Sequence, residues 1–169
     1  DFPAARRALL EAVRLSPRHG KAHFFLGNVL LLENLPEAAI PRFKSALETF
    51  SDPNIPYDLG LAYRIAGDFV SARRWIMQAL RLKPDFPEAL VSLGDLSRVQ
   101  GNLYEAQAWF EKALEISPGD LSAARELGLV YLSAGRLEQA RPLLQRVVEA
   151  FPDDAEVGRA AALIESRRG

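Results

Sequence analysis

The two histidines form the sequence pattern closest to a metal-binding motif. His19 and His23 are four residues apart, a spacing at which two imidazoles on one helix face can hold the same ion. No third ligand of a suitable type is close in the sequence, and His19 stands beside Gly20 at a turn. A surface histidine and a partly packed one explain the pair better, and we predict neither a metal nor a cofactor.

The other reactive residue types show no catalytic arrangement. The chain has no cysteine, which excludes disulfides, thiolate metal ligands and cysteine nucleophiles. Carboxylates are spread along the sequence without a concentrated pair for acid–base work. Gly60, Gly94 and Gly128 do not form a phosphate-binding loop, because no strand precedes them. We therefore predict that the chain is not an enzyme.

Two tryptophans and the charge balance bear on nucleic acid. Trp75 and Trp109 are 34 residues apart and could stack on bases, but packing between helices is the stronger interpretation. The 21 basic and 22 acidic residues leave a net charge of −1, without the basic excess typical of nucleic-acid binders. No apolar run is long enough to cross a bilayer. Both a cytoplasmic and a periplasmic location remain open.

The elements that position these residues come from an internal repeat. A Leu-Gly pair recurs with spacings of 33, 34 and 34 residues between the glycines. Alanines recur with nearly the same period, and prolines close most of the units. The Leu-Gly pairs end at Gly27, Gly60, Gly94 and Gly128, and the alanines are Ala5, Ala39, Ala72, Ala106 and Ala140. Several patterns with one period indicate a repeat architecture.

Each unit contains two helices by its hydrophobic spacing. In the third unit these span 87–100 and 103–116, separated by Gly101-Asn102. Equivalent breaks at Asn34, Gly67 and Gly135 predict residues with positive φ at the helix ends. The 33-residue spacing places a one-residue deletion between Ala46 and Leu59, which predicts an unusual turn there. The last helix is expected to begin at Asp153, with Glu156 completing a capping box.

Small and large residues alternate in a way that predicts helix packing. The four repeated glycines are expected at close crossings between the two helices of a unit. The repeated alanines would face them from the second helix, where a larger side chain would push the pair apart. Larger residues would fill the wider gaps; these are Phe43, Ile76, Phe110 and Leu144.

This combined pattern resembles the tetratricopeptide repeat family. Leu59-Gly60, Tyr63, Ala72, Ile76, Ala79 and Pro84 carry the resemblance, as do Leu127-Gly128, Tyr131, Ala140, Leu144 and Pro152. The resemblance implies an all-α fold, a right-handed superhelical solenoid of antiparallel helix pairs with about ten helices. We predict a single domain over 1–169, with a lone helix in 1–19, repeats in 20–52, 53–86, 87–120 and 121–154, and a terminal helix in 155–169.

The ends of the chain fall on half units. Asp1 stands where a second helix would begin, and Gly169 where the break between helices would come. The flanking helices carry apolar residues, including Leu9, Val13 and Ile164, that a polar cap would not show. The sequence is therefore interpreted as a piece of a longer array, or as one whose ends stack on another copy to form a homo-oligomer.

The family resemblance implies that the first helix of each unit lines a concave groove for a partner. The residues expected to face this groove and to contact the partner are Phe24, Asn28, Leu31, Tyr57, Leu61, Arg64, Asp95, Arg98 and Arg125. Phe25 is expected to belong to the core somewhat more than Phe24. The cationic clamp by which chaperone adaptors of this family hold a C-terminal carboxylate is missing, because Phe24, Asp58, Glu88 and Ser92 stand in its place.

The function predicted from these features is a protein–protein interaction scaffold. It would bind a peptide or a partner helix with apolar anchors in the groove, as a bacterial adaptor in assembly, secretion or signalling. Two alternatives stay open. One is the non-catalytic segment of a larger enzyme such as a glycosyltransferase, and the other is a self-assembling structural protein.

Overall fold

The computed structural model describes residues 2–167, and all regular structure within them is α-helical. The ten helices of this range are α1 (Phe2–Leu15), α2 (Gly20–Leu32), α3 (Pro36–Leu47), α4 (Asn54–Ile65), α5 (Phe69–Leu82), α6 (Pro87–Val99), α7 (Leu103–Ile116), α8 (Leu121–Ser133), α9 (Leu137–Ala150) and α10 (Ala155–Ser166). The predicted all-α repeat fold is confirmed. Asp1 and Gly169, from which the half units were counted, lie outside the described range.

Several helices, among them α5 and α8, begin where a side chain accepts hydrogen bonds from the first free backbone N–H groups. Asp68 accepts from Ser71 at the start of α5, and Asp120 accepts from Ser122 and Ala123 at the start of α8. The predicted start of the last helix at Asp153 is wrong. Asp154 is the N-cap of α10 and accepts from Glu156 and Val157, because its backbone is extended there.

The breaks between the helices of a pair adopt the predicted left-handed backbone. Gly67, Gly101 and Gly135 have φ of 83°, 79° and 72°, and Asn34 has φ of 58°. A side chain with a Cβ is disfavoured in this region, and glycine and asparagine tolerate it best. The expectation of positive φ at these four positions is confirmed.

The turn that carries the deletion differs from its counterparts, as predicted. Helices α5, α7 and α9 end at residues with φ near −130°, such as Lys83 at −135°. The equivalent end of α3 stays helical at Glu48, with φ −69° and ψ −29°. The chain then reaches α4 through Asp52, whose carboxylate accepts from the backbone N–H of Asn54 at 2.8 Å.

The helices form two compact units, residues 1–84 with α1–α5 and residues 85–169 with α6–α10. Within each unit every helix packs against the next one along the chain. First helices of neighbouring repeats also meet: α2 contacts α4 in unit 1, and α6 contacts α8 in unit 2. Side chains on these first helices can therefore meet across a repeat boundary.

The repeated glycines lie at the helix crossings, but their closest neighbours are the large residues rather than the alanines. A Cβ on Gly27 would come 2.6 Å from the Phe43 ring, and one on Gly128 would come 2.6 Å from Leu144 Cδ2. A Cβ on Gly94 would overlap the Phe110 ring. Four of the repeated alanines, Ala39, Ala72, Ala106 and Ala140, are fully buried, whereas Ala5 on α1 is exposed. Each glycine therefore makes room for one large side chain of the second helix.

Candidate functional site

In unit 1 the outward side of α2 and α4 forms a continuous surface. It consists of Phe25, Asn28 and Leu32 on α2 and of Asp58, Leu61 and Ile65 on α4, which we call the α2/α4 face. The spacing of three and seven residues places the three side chains of each helix on one side. Contact between α2 and α4 joins the two rows.

Three large apolar side chains of the α2/α4 face are open to solvent. Phe25 is 52 % exposed, Leu32 is 65 % exposed and Ile65 is 46 % exposed. Leu61, one turn before Ile65 on α4, is half-buried. Exposed apolar residues that adjoin one another are a feature of surfaces where proteins bind other molecules.

The two phenylalanines of α2 take opposite roles to those expected. Phe24 is 8 % exposed and belongs to the core of unit 1 with Phe43 and Leu59. Its ring packs 6.1–6.2 Å from the rings of Phe43 and Phe50, measured between centroids. Phe25 is the ring that faces solvent. Phe24 is therefore a core residue, and little of its ring is accessible to a partner.

The other residues predicted for this half of the groove differ in how deeply they are buried. Leu31 packs against the core of unit 1, and Tyr57 is half-buried. Arg64 is exposed in the last turn of α4. Asn28 and Leu61 lie on the α2/α4 face. Contact of these residues with a partner stays a prediction.

A carboxylate and an amide meet at the centre of the α2/α4 face. The side chain of Asn28 donates a hydrogen bond to Asp58, and the Oδ1 atom of Asn28 is buried without a donor among the described residues. Burial raises the pKa of Asp58 to about 7, and the nearby charge of Asp52 acts in the same direction. The hydrogen bond from Asn28 opposes them. The site therefore holds an excess of hydrogen-bond acceptors.

In unit 2 the corresponding surface is a network of ion pairs. Glu126 of α8 has a side chain that is 11 % exposed and receives Arg98 Nε of α6 at 3.2 Å. The guanidinium of Arg125 also bonds to Glu126, and its Nε donates to Asp154 at 3.1 Å. Arg125 reaches Glu156 as well. Asp95 lies 3.9 Å from Arg98 at the edge of the network.

The sequence predicted three members of this network as site residues but not their pairing. Arg98, Asp95 and Arg125 were expected to be available to a partner, whereas the structure joins them to carboxylates of their own unit. Asp154 and Glu156 were missed as participants. Asp154 stands one repeat length of 34 after Asp120, so the N-cap column was the available clue.

The residues considered for other chemistry have structural roles. His19 caps α2 through Nδ1, which accepts from the backbone N–H of Ala22 at 3.2 Å. His23 is buried, with Nε2 2.9 Å from the carbonyl oxygen of Pro17. Within residues 2–167 no group of three or more His, Asp or Glu side chains could hold a metal ion.

The two tryptophans are partly covered by their own units. Trp75 is half-buried and packs against the core of unit 1. Trp109 is half-buried in unit 2, with a buried indole nitrogen. Among the described helices, none has the length and apolar character needed to cross a membrane.

The fold and the two surfaces define an all-α helical repeat protein. Two sequence profiles described as tetratricopeptide repeat match the chain, one over residues 1–55 and 57–121 and the other over residues 98–164. The chain belongs to the tetratricopeptide repeat family, and the resemblance inferred from the Leu-Gly and alanine patterns is confirmed. The comparison with curated protein sequences gave no match.

Solved structures of similar fold share low sequence identity with the chain. The crystal structure of MamA is 24 % identical, has a TM-score of 0.80 and covers 92 % of each chain. YrrB, described as a TPR protein with an unusual peptide-binding site, is 24 % identical with a TM-score of 0.75, covering 94 % of this chain and 84 % of YrrB. PilF of Pseudomonas aeruginosa is 21 % identical with a TM-score of 0.86, covering 99 % of this chain and 78 % of pilF. These similarities concern the fold.

Proposed function

We propose that the chain is a protein–protein interaction scaffold that binds a peptide or a partner helix on the α2/α4 face. The observation that carries the proposal is the exposure of Phe25, Leu32 and Ile65 on two first helices that contact each other. Burying such side chains against a partner removes apolar area from water, which stabilises a complex. A non-enzymatic role accords with the structural use of both histidines.

The similarity to known proteins supports the class of partner. Tetratricopeptide repeats are interaction modules, and the description of YrrB names a peptide-binding site on a related fold. The role that we propose is that of a bacterial adaptor; one protein of similar fold comes from Pseudomonas aeruginosa. The proposed ligand is a protein or peptide, and the proposed function needs no cofactor.

A selection with random phage-displayed peptides tests the proposal. Peptides enriched on the immobilised protein should bind the double variant Phe25→Ala/Leu32→Ala about tenfold or more weakly, because two apolar anchors are lost. The matched control is Leu15→Ala/Val70→Ala, which removes two exposed apolar side chains from α1 and α5. Circular dichroism should show unchanged helicity in both.

Two results would contradict this assignment. If no peptide is enriched over an unrelated immobilised protein, the scaffold proposal fails. If the control weakens binding as much as the Phe25→Ala/Leu32→Ala variant does, the ligand binds elsewhere in unit 1.

A further inference from the structure

We propose that the α2/α4 face recognises a lysine or arginine side chain of its protein partner, held by Asp58 and flanked by apolar contacts to Phe25 and Leu61. This inference rests on the proposed function and adds the chemistry of the ligand. A partner segment that fits would carry one basic residue between apolar ones.

Unit 2 shows how the chain pairs a carboxylate at the repeat position that Asp58 occupies in unit 1. Asp58 and Glu126 stand two repeat lengths of 34 residues apart, at the same position of α4 and α8. Glu126 is paired with Arg98 from the preceding first helix and with Arg125 beside it in the chain. Two guanidinium groups therefore neutralise the carboxylate and supply its hydrogen bonds.

Neither arginine has a counterpart around Asp58. The position of Arg98 is taken by Leu31 on α2, and that of Arg125 by Tyr57 on α4, when the repeats are aligned across the deletion. In the described part of the chain, no lysine or arginine forms an ion pair with Asp58. Lys21, at the start of α2, has its ammonium over the Phe50 ring at 5.4 Å from the centroid.

The hydrogen bonding around Asp58 also leaves room for a donor from a partner. Asp58 accepts from Asn28, while the Oδ1 atom of Asn28 has no donor in residues 2–167. Asp52 adds a second carboxylate that acts on Asp58. Buried acceptors without donors are costly, and a guanidinium or ammonium group provides both the donors and the positive charge.

The apolar residues around Asp58 suit the stem of a basic side chain. Lysine and arginine carry long aliphatic stems that pack on apolar surface while the charged head reaches a polar group. Phe25 occupies in α2 the same repeat position that Asp58 occupies in α4. The Phe25 ring is exposed and lies on the same side of α2 as Asn28, one turn away. The ring offers a surface for the stem and for a cation–π contact.

The peptides selected on the wild-type protein provide the test. Enriched sequences should contain arginine or lysine next to apolar residues. For a synthetic peptide of this kind, Asp58→Asn should weaken binding about tenfold or more, and so should replacement of the basic residue by glutamine. Combining both changes should lower the affinity little more than either change alone, because both remove the same contact. Glu48→Gln, at the exposed end of α3, is the control of equal charge and should bind as wild type.

The outcomes separate this inference from the proposed function. Enriched peptides without basic residues, or an Asp58→Asn variant that binds them as tightly as wild type, would overturn the basic anchor and leave the scaffold intact. An absence of any enriched peptide would overturn both. If Glu48→Gln weakens peptide binding as much as Asp58→Asn does, the loss of affinity comes from the change in net charge. That result would also overturn the proposal that Asp58 holds a basic side chain.

Discussion

The first helices of unit 1 and unit 2 share one backbone pattern and present different surfaces. On the α2/α4 face, exposed apolar side chains share the two helices with Asp58, whose only hydrogen-bonded side chain among the described residues is Asn28. On α6 and α8 the equivalent carboxylate, Glu126, lies between two arginines of its own unit. The difference shows that a charge on a repeat surface does not by itself indicate a binding site. What matters is whether the chain already neutralises it.

The largest effect on stability is expected at the glycines of the helix crossings, a feature that the two units share. Gly27→Leu in unit 1 and Gly94→Leu in unit 2 would both drive a side chain into a phenylalanine ring at the helix crossing. Each should lower the free energy of unfolding by about 1–3 kcal/mol or more. Urea unfolding followed by circular dichroism measures the change. Gly119→Ala, where an added Cβ meets no atom within 4 Å, should have little effect. Unfolding midpoints that do not move would show that the crossings tolerate extra volume.

The next prediction concerns the ion-pair network of unit 2. Glu126→Gln removes the charge between Arg98 and Arg125 and should lower the free energy of unfolding by about 1–2 kcal/mol, since a charged hydrogen-bonded group is lost. The effect stays modest because the Arg98 side chain is 44 % exposed. Glu11→Gln, which disrupts an exposed pair with Arg14 on α1, is the control and should leave the unfolding midpoint in place. An unfolding midpoint for Glu126→Gln that stays at the wild-type value would show that the network adds nothing.

The third prediction concerns Asp58, where the effect on stability should have the opposite sign. The carboxyl group of an unfolded chain titrates near 3.9, whereas the pKa of Asp58 in the folded protein is about 7. Between these values the folded state binds a proton that the unfolded state has released. Its stability therefore falls as the pH rises from about 4 to about 7.

Asp58→Asn should remove this part of the pH dependence and make the protein more stable than wild type at about pH 8. Urea unfolding at about pH 5 and about pH 8 measures it for both proteins. The Glu48→Gln variant should keep the wild-type pH dependence. Equal loss of stability in wild type and Asp58→Asn between the two pH values would show that Asp58 is not the group responsible.

The sequence predicted the repeated features well because they depend on local chemistry. Glycine or asparagine at a helix end is needed for positive φ, so Gly67 and Asn34 could be placed without tertiary information. The unusual turn before α4 followed from a count of residues between Ala46 and Leu59. The start of α10 was misplaced by one residue, since Asp153 and Asp154 are both suitable caps and the backbone of the folded chain decides between them.

The candidate site was predicted less completely. The repeat alignment placed Asn28, Leu61 and Asp58 on the first helices, which is where the structure has them. It did not separate Phe24 from Phe25, because adjacent residues on a helix are only about 100° apart and both are fully apolar. Pairing of Arg98 and Arg125 with Glu126 depends on side chains from three helices, which no single periodicity contains.

The amino-acid sequence by itself determined the helix pairs, their period, the turns that end them and the family to which the chain belongs. These follow from backbone conformation and from the sizes of the residues that recur at each crossing. Tertiary structure decided which side chains remain available to a partner. Burial of Phe24, exposure of Phe25 and the contrast between Glu126 and Asp58 arise from neighbours that are close in space and distant in the chain, and those neighbours set the solvation and pairing of each group.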